Sequence, residues 1–289
     1  MIYDEPRYLP AGDRYLLVEF GNTMLLDLNF LAQGLAKKLE EAPVKGVIET
    51  APCFASMLVH YDPESVSFEY LVAALREVAG SLGSPSNITV PSRLFYLPAM
   101  YFDPWTEECV EDYCKKIAPK EKDPEVVMRA NGLSSREELL RVHSGTEYWV
   151  ASLGFWPGLP FLKALDPRSA LSAPKYNPPR TNTPAGAIGL GGGANSIYPV
   201  ATPGGYQIFA RTPVPIWDPK QRFDVFEHSI CLFRPGDRIK FVPCSRQEFE
   251  DVERRVEDGS YVLNVVEYGQ FSVSQYNAWV ASIDVKARF

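Results

Sequence analysis

KYNPPRTNTPAGAIGLGGGANSIYPVATPGGYQIFAR, from Lys175 to Arg211, is the stretch around which the rest of the chain is read. Apolar pairs such as Ile188/Leu190 and Ile208/Phe209 keep a strand-like rhythm, and Gly and Pro interrupt it every few residues. That mixture suits a turn-rich β-barrel with kinked strands, in which Gly marks corners and bulges. The charges are as uneven as the punctuation. From Ser169 to Trp217 there is no Asp, Glu or His, and the only charges are Lys175, Arg180 and Arg211. Such a field favours an anion, and glycine lets a ligand approach the backbone closely.

Working outward, a period of two extends on both sides of this segment. Strands are expected at Tyr148–Leu153, Ala187–Leu190, Ser196–Val200, Tyr206–Arg211, Val214–Trp217 and Arg238–Pro243. Short strands with Gly/Pro punctuation predict a closed antiparallel barrel. Pro203-Gly204-Gly205 reads as a β-turn, and Arg234-Pro235-Gly236-Asp237 as a tight turn before the last of these strands. A helix over Ser245–Asp258 opens with a capping box, Ser245 to Glu248. Tyr261–Glu267 and Val273–Ser282 read as a strand and a helix that close the chain.

Towards the N-terminus the pattern changes. Strands at Tyr15–Phe20, Val44–Glu49, Ala55–Tyr61 and Arg93–Pro98 alternate with helices at Asn29–Glu41 and Ser67–Leu82. The order βαββαβ is ferredoxin-like. Between the two patterns lie short helices capped by Asp103 or Thr106 and by Ser134, with Glu137 three residues on; Gly132 ends one of them. The fold class expected is therefore α+β: a ferredoxin-like domain (1–100), a helical connector (101–145) and a barrel domain with C-terminal helices (146–289).

Composition excludes several classes of function. The net charge of −7 argues against a general nucleic-acid binder. No apolar run approaches the roughly 18 residues of a membrane helix, and the acidic start MIYDEPRYLP is unlike a secretory leader. A cytoplasmic protein is expected. The five cysteines are scattered and odd in number, as buried thiols in a reducing compartment would be. Cys109 and Cys114 are too far apart for a CxxC hook, and no two of the three histidines are close in sequence. No metal site is expected. His60, flanked by Val59 and Tyr61, reads as a structural strand residue.

Several motifs in fixed order carry a resemblance: GFWPGLPFL (Gly154–Leu162), PRTNTPAGAIGLGGG (Pro179–Gly193), IYPVATPGGYQIFARTP (Ile197–Pro213) and RPGDRIKFVP (Arg234–Pro243). Together with GDRYLLVEF and HSGTEYWV they resemble the allophanate hydrolase subunit 1 family. That family includes the kinase inhibitor KipI and the B component of 5-oxoprolinase, and it is equivalent to subdomains C and D of the urea carboxylase carboxyltransferase domain. KYNPPRTNTP, NGL, GGYQ and FSVSQYNAWV are of the urea carboxylase kind, whereas GFWPGLPFL is of the KipI kind. Ala194-Asn195 stands where KipI-like proteins carry Gln-Thr.

The resemblance implies a cyclophilin-like barrel and a two-subunit biotin-dependent carboxyltransferase or amidolyase acting on a urea- or amide-type nitrogen. The implied partners are a subunit 2-like protein with a biotin carboxylase/carrier protein, which brings carboxybiotin. The alternatives are the B component of an ATP-dependent 5-oxoprolinase with a LamB/YcsF-like partner, or a non-catalytic kinase inhibitor. GLGGGANS lacks the GK[ST] of a P-loop, so any ATP site would be of another kind. Oxyanions that form during carboxyl transfer need aligned donors and positive charge. Arg180, Lys175 and Arg211 are the candidate catalytic cations. Asn177, Thr183, Gly204, Gly205, Tyr206 and Gln207 are candidate substrate-binding residues, and Phe155, Trp156 and Pro157 a candidate partner surface. No Ser-His-Asp set or carboxylate pair lies in this segment, which counts against a self-contained hydrolase.

Overall fold

The computed structural model describes residues 1–288. Two compact units emerge: Met1–Ser92 with Tyr268–Ile283, and Arg93–Glu267 with the residues from Asp284 onward.

The first unit begins with β1 (Ile2–Pro10), β2 (Tyr15–Gly21), α1 (Leu26–Glu41), β3 (Val47–Pro52), β4 (Ser56–Tyr61), α2 (Phe68–Gly80) and β5 (Thr89–Pro91). Its sheet runs β1-β2-β4-β3, antiparallel throughout. Leu16, Val18 and Phe20 of β2 pack with Leu28 and Leu35 of α1 and with Leu71 and Leu75 of α2. The Ser67 hydroxyl caps α2 by accepting from the Tyr70 N–H. The sixth ferredoxin-like element, expected at Arg93–Pro98, is not part of this sheet. The edge beside β2 is taken instead by β1, whose sequence IYDEPRYLP lacks the alternation of a half-buried strand.

The second unit contains β6 (Leu94–Tyr101), α3 (Pro104–Lys116), α4 (Asp123–Asn131), α5 (Arg136–Ser144), β7 (Glu147–Leu153), β8 (Pro160–Ala164), β9 (Arg180–Thr183) and β10 (Ala187–Gly191). β11 (Ala194–Ile197), β12 (Thr202–Gly204), β13 (Gln207–Arg211), β14 (Arg238–Pro243), α6 (Arg246–Glu257) and β15 (Asn264–Val266) follow. Seven strands, in the order β13-β10-β11-β8-β7-β14-β6, close into a barrel through the pairing of β13 with β6. Only β14–β6 is parallel. Alternate residues of β6, namely Phe95, Leu97, Ala99 and Tyr101, join Tyr148, Ile188, Leu190, Phe209, Ile239 and Phe241 in one core. The interior of so small a barrel is filled by side chains. The last elements, β16 (Gln270–Ser272) and α7 (Val273–Ser282), belong to the first unit, where β16 pairs with β5.

The α+β class and the barrel match the sequence reading, with differences of detail. The units divide at Ser92/Arg93 and Glu267/Tyr268, not at 100/101 and 145/146, because β6 is an inner barrel strand and the connector helices pack on β9, β13 and β14. Val214–Trp217 is not a strand and makes only an isolated bridge from Trp217 to Cys231. The cap of α5 is Ser135, one residue later than expected. The capping box at Ser245 and the left-handed Gly132 after α4 are as predicted.

Candidate functional site

The glycines of the central segment serve two separate ends. Gly192 (φ 64°) and Gly193 (φ 95°) turn the β10–β11 hairpin, with positive φ at both central residues. Gly189 and Gly191 make room for an aromatic ring. A Cβ at Gly191 would lie 2.4 Å from the Tyr206 ring, and one at Gly189 would lie 3.1 Å from the Tyr206 Cβ. The close approach foreseen for a ligand is thus made by the chain's own Tyr206. Pro203-Gly204-Gly205 is not a turn either: Gly204 ends β12, paired with Arg180 of β9, and neither glycine has positive φ.

Tyr206 is one wall of a cavity of about 230 Å³ on the outer face of the barrel. Phe161 of β8, Tyr198, Leu159 and Phe155 supply apolar walls, Gly204 and Gly205 a side-chain-free edge, and Lys175 the cation. The ammonium group of Lys175 sits 5.2 Å from the centroid of the Tyr206 ring. Burial pushes the Tyr206 hydroxyl up to about 12, with neighbouring Tyr198 adding to the shift. Burial likewise raises Tyr198, and Arg180 partly offsets it. Both phenols keep their protons at neutral pH, so they act as hydrogen-bonding groups and not as bases. Ser196 of β11 also lines the cavity; it is 2 % exposed and its hydroxyl has no hydrogen-bond partner among the described residues.

Beside the cavity lies a buried polar network that the sequence did not reveal. Asp123, at the start of α4, is fully buried. One of its carboxylate oxygens accepts from Lys120 Nζ and from the Tyr176 hydroxyl. The other accepts from the Ile208 N–H at 2.7 Å and lies 3.8 Å from Arg180 Nη1. Ile208 is where the β10–β13 register shifts, so the carboxylate serves an N–H at an irregularity in the ladder. Arg180 also donates to the Tyr206 carbonyl at 2.6 Å and to Thr183 Oγ1 at 3.1 Å, and it stacks 4.4 Å from the centroid of Tyr176. Gln207 accepts from Lys120 and donates to the Pro174 carbonyl. Burial, with Asp123 alongside, raises the Tyr176 hydroxyl well above its ordinary value.

The expected site residues therefore divide. Lys175, Gly204, Gly205, Tyr206 and Phe155 meet at one cavity. Arg180, Thr183 and Gln207 belong to the network that holds the 174–180 segment against β12 and β13. Arg180 borders a second cleft of about 290 Å³ beside Glu108, Asp112 and Asn182, where the acidic side chains disfavour an anion. Arg211 stands apart: it donates to the Ala185 carbonyl and lies over Trp105 and Phe249. Asn177 is exposed. Phe155 is 68 % exposed with φ 68°, and Trp156 and Pro157 beside it are exposed too. A groove of about 410 Å³ between the 214–226 segment and residues 256–267 holds none of the expected residues. Among the described residues no three His, Cys, Asp or Glu side chains cluster as metal ligands, and no helix is long and apolar enough to cross a membrane.

With barrel, cavity and network in view, residues 6–226 match the model of the carboxyltransferase domain, subdomains C and D. The chain belongs to that family. Within it, the chain is 31 % identical over 279 residues to a urea amidolyase of Lachancea kluyveri, covering 94 % of this chain and 15 % of that protein. It is 31 % identical over 251 residues to the 5-oxoprolinase B component of Bacillus subtilis, covering 82 % of this chain and 92 % of that one. The crystal structure of the Kluyveromyces lactis urea carboxylase superposes with a TM-score of 0.84 at 27 % identity, over 97 % of this chain and 26 % of that one. This carboxyltransferase-family chain thus corresponds to a small part of the large urea-processing enzymes and to nearly all of the bacterial oxoprolinase component.

Proposed function

We propose that the chain is subunit 1 of a two-subunit biotin-dependent carboxyltransferase or amidolyase, urea carboxylase- or allophanate hydrolase-like, acting on a urea- or amide-type nitrogen. The observation that carries this reading is the outer-face cavity: flat aromatic walls, one cation, no acid or base inside, and an exposed Phe155-Trp156-Pro157 lip. Such a cavity is half a site, able to bind and to stabilise charge and lacking a group to move a proton. A partner resembling subunit 2 would close it and bring the remaining groups. Its aromatic walls and its cation fit a flat ureido ring, so Lys175, Tyr206 and Tyr198 are the residues that would hold biotin. Carboxybiotin, carried on a separate protein, would supply the activated carboxyl group.

For its own part the chain does three things. Lys175 offsets negative charge that develops on oxygen during transfer, the more strongly once a partner closes the cleft against water. Tyr198 and Tyr206, protonated, flank a planar amide. The Asp123 network fixes the backbone that carries Lys175. A cytoplasmic location goes with this reading, and all five cysteines are free thiols. Co-expression with a subunit 2-like protein and a biotin carrier tests it. The complex should consume carboxybiotin in the presence of urea or a related amide, while the isolated chain does not.

A second reading is favoured by length: the chain covers 92 % of a 5-oxoprolinase B component. On that reading the same cavity takes a cyclic amide, the partners include a LamB/YcsF-like protein, and ATP is bound in the complex. Hydrolysis of 5-oxoproline that depends on ATP and ignores biotin would decide for it.

A further inference from the structure

Ser196 is the one polar group of the cavity that is both buried and unspent. Along β11, Asn195 and Ile197 point into the barrel, so Ala194 and Ser196 point out of it. The cross-strand neighbours of Ser196 are Gly189 on β10 and Phe161 on β8. One has no side chain and the other is an apolar ring, so neither offers the hydroxyl a partner. Among the described residues the Ser196 Oγ is left without a hydrogen bond, while its residue is 2 % exposed and lines the cavity. Buried hydroxyls are almost always hydrogen-bonded, and an orphan at the wall of a cleft asks for its partner in what the cleft holds. A hydroxyl both donates and accepts, so it can satisfy a carbonyl, an N–H, or both in turn.

We infer that Ser196 is a specificity-determining residue that takes the amide or ureido edge of a flat ligand lying between Tyr206 and Phe161. This assignment rests on the reading of the outer-face cavity as the binding site. It adds the chemical criterion for entry. A ligand that brings a planar N–C=O edge satisfies the serine; a hydrocarbon of the same shape leaves it desolvated and unpaired. A site built around such a hydrogen bond rejects the analogue that lacks it.

The probes are 2-imidazolidinone, a flat cyclic urea, and methylenecyclopentane, its hydrocarbon counterpart, titrated into the isotope-labelled full-length chain and followed by amide chemical shifts. In the wild-type chain 2-imidazolidinone should bind more tightly than methylenecyclopentane and shift Gly204, Gly205 and Ser196. Ser196→Ala should weaken 2-imidazolidinone about tenfold or more and leave methylenecyclopentane unweakened, so that the preference collapses. Ser196→Gly, which also removes the hydroxyl, should do the same if alanine packs poorly. A preference that survives both substitutions, while Lys175→Ala or Tyr206→Ala weakens binding, overturns the role of Ser196 and leaves the cavity as the site. If neither probe moves Gly204 or Gly205 in the wild-type chain, the cavity reading falls and the assignment falls with it.

Discussion

Three residues illustrate how similar sequence signals end in different physical roles. Arg180 and Lys175 are both cations of an acid-free segment. Arg180 is 2 % exposed and saturated by Asp123, Thr183 and the Tyr206 carbonyl. Removing it takes from the buried Asp123 carboxylate one of its two cations, Lys120 being the other, and leaves the Tyr206 carbonyl and the Thr183 hydroxyl without their donor, which together cost about 3–5 kcal/mol. Arg180→Ala and Asp123→Ala should each lower the free energy of urea unfolding by that order. Lys175 is exposed and loses nothing structural. Lys175→Ala should leave stability within about 0.5 kcal/mol, with its effect confined to ligand binding and turnover. His143 is the third case. It sits in the barrel core, where Nδ1 accepts from the Tyr101 hydroxyl at 2.7 Å and Nε2–H donates to Asn195 Oδ1 at 3.1 Å. Burial holds its pKa down at about 4. The unfolded chain, near 6.5, binds this proton and the native chain does not, so stability is full above about pH 6.5 and falls as the pH drops towards 4. Between about pH 7.5 and 4.5 this residue should account for a loss of about 2–3 kcal/mol. In His143→Gln that part of the pH slope should vanish from denaturation curves.

At the scale of elements, the glycines next to the cavity make separable claims. A Cβ on Gly204 would lie 2.5 Å from the Tyr198 hydroxyl and 2.7 Å from Thr183 Oγ1, while on Gly205 nothing comes closer than 3.6 Å. Gly204→Ala should therefore destabilise by about 1–3 kcal/mol. Gly205→Ala should be near neutral in a thermal melt and perturb only ligand affinity. The same elements show what sequence can and cannot reveal. Period two and Gly/Pro punctuation located the barrel strands β7, β10, β13 and β14, because their alternation reflects one buried face. The strand β1 is not legible in the sequence, because an edge strand with two prolines carries no such alternation. For β6 the sequence pattern is ambiguous, because a buried run such as LFYLPA looks the same in either sheet. Asp123 lay in the charged break PKEKDP, where solvation is the ordinary expectation. Lys120 is three residues back, but the other hydrogen-bond partners are 53 and 85 residues away, at Tyr176 and Ile208, and no local spacing encodes those.

For the whole molecule, the proposed function places one half of a carboxyl-transfer site on the outside of the barrel. The motif-bearing segments were legible because Gly, Pro and aromatic residues occur there in fixed order. Which of their cations faces the cavity was not legible, because Lys175 and Arg180 differ only in what the folded chain places next to them. The exposed Phe155 and Trp156 beside the cavity should anchor the partner, so Trp156→Ala should weaken assembly with a subunit 2-like protein in a titration while leaving the melting temperature of the chain unchanged. The most direct test is the steady-state rate of carboxyl transfer by the reconstituted complex, measured with wild-type chain and with Lys175→Ala. Lys175→Ala should lower kcat/KM about a hundredfold at unchanged thermal stability. Full activity of the Lys175→Ala complex, or transfer by the isolated chain, would contradict it.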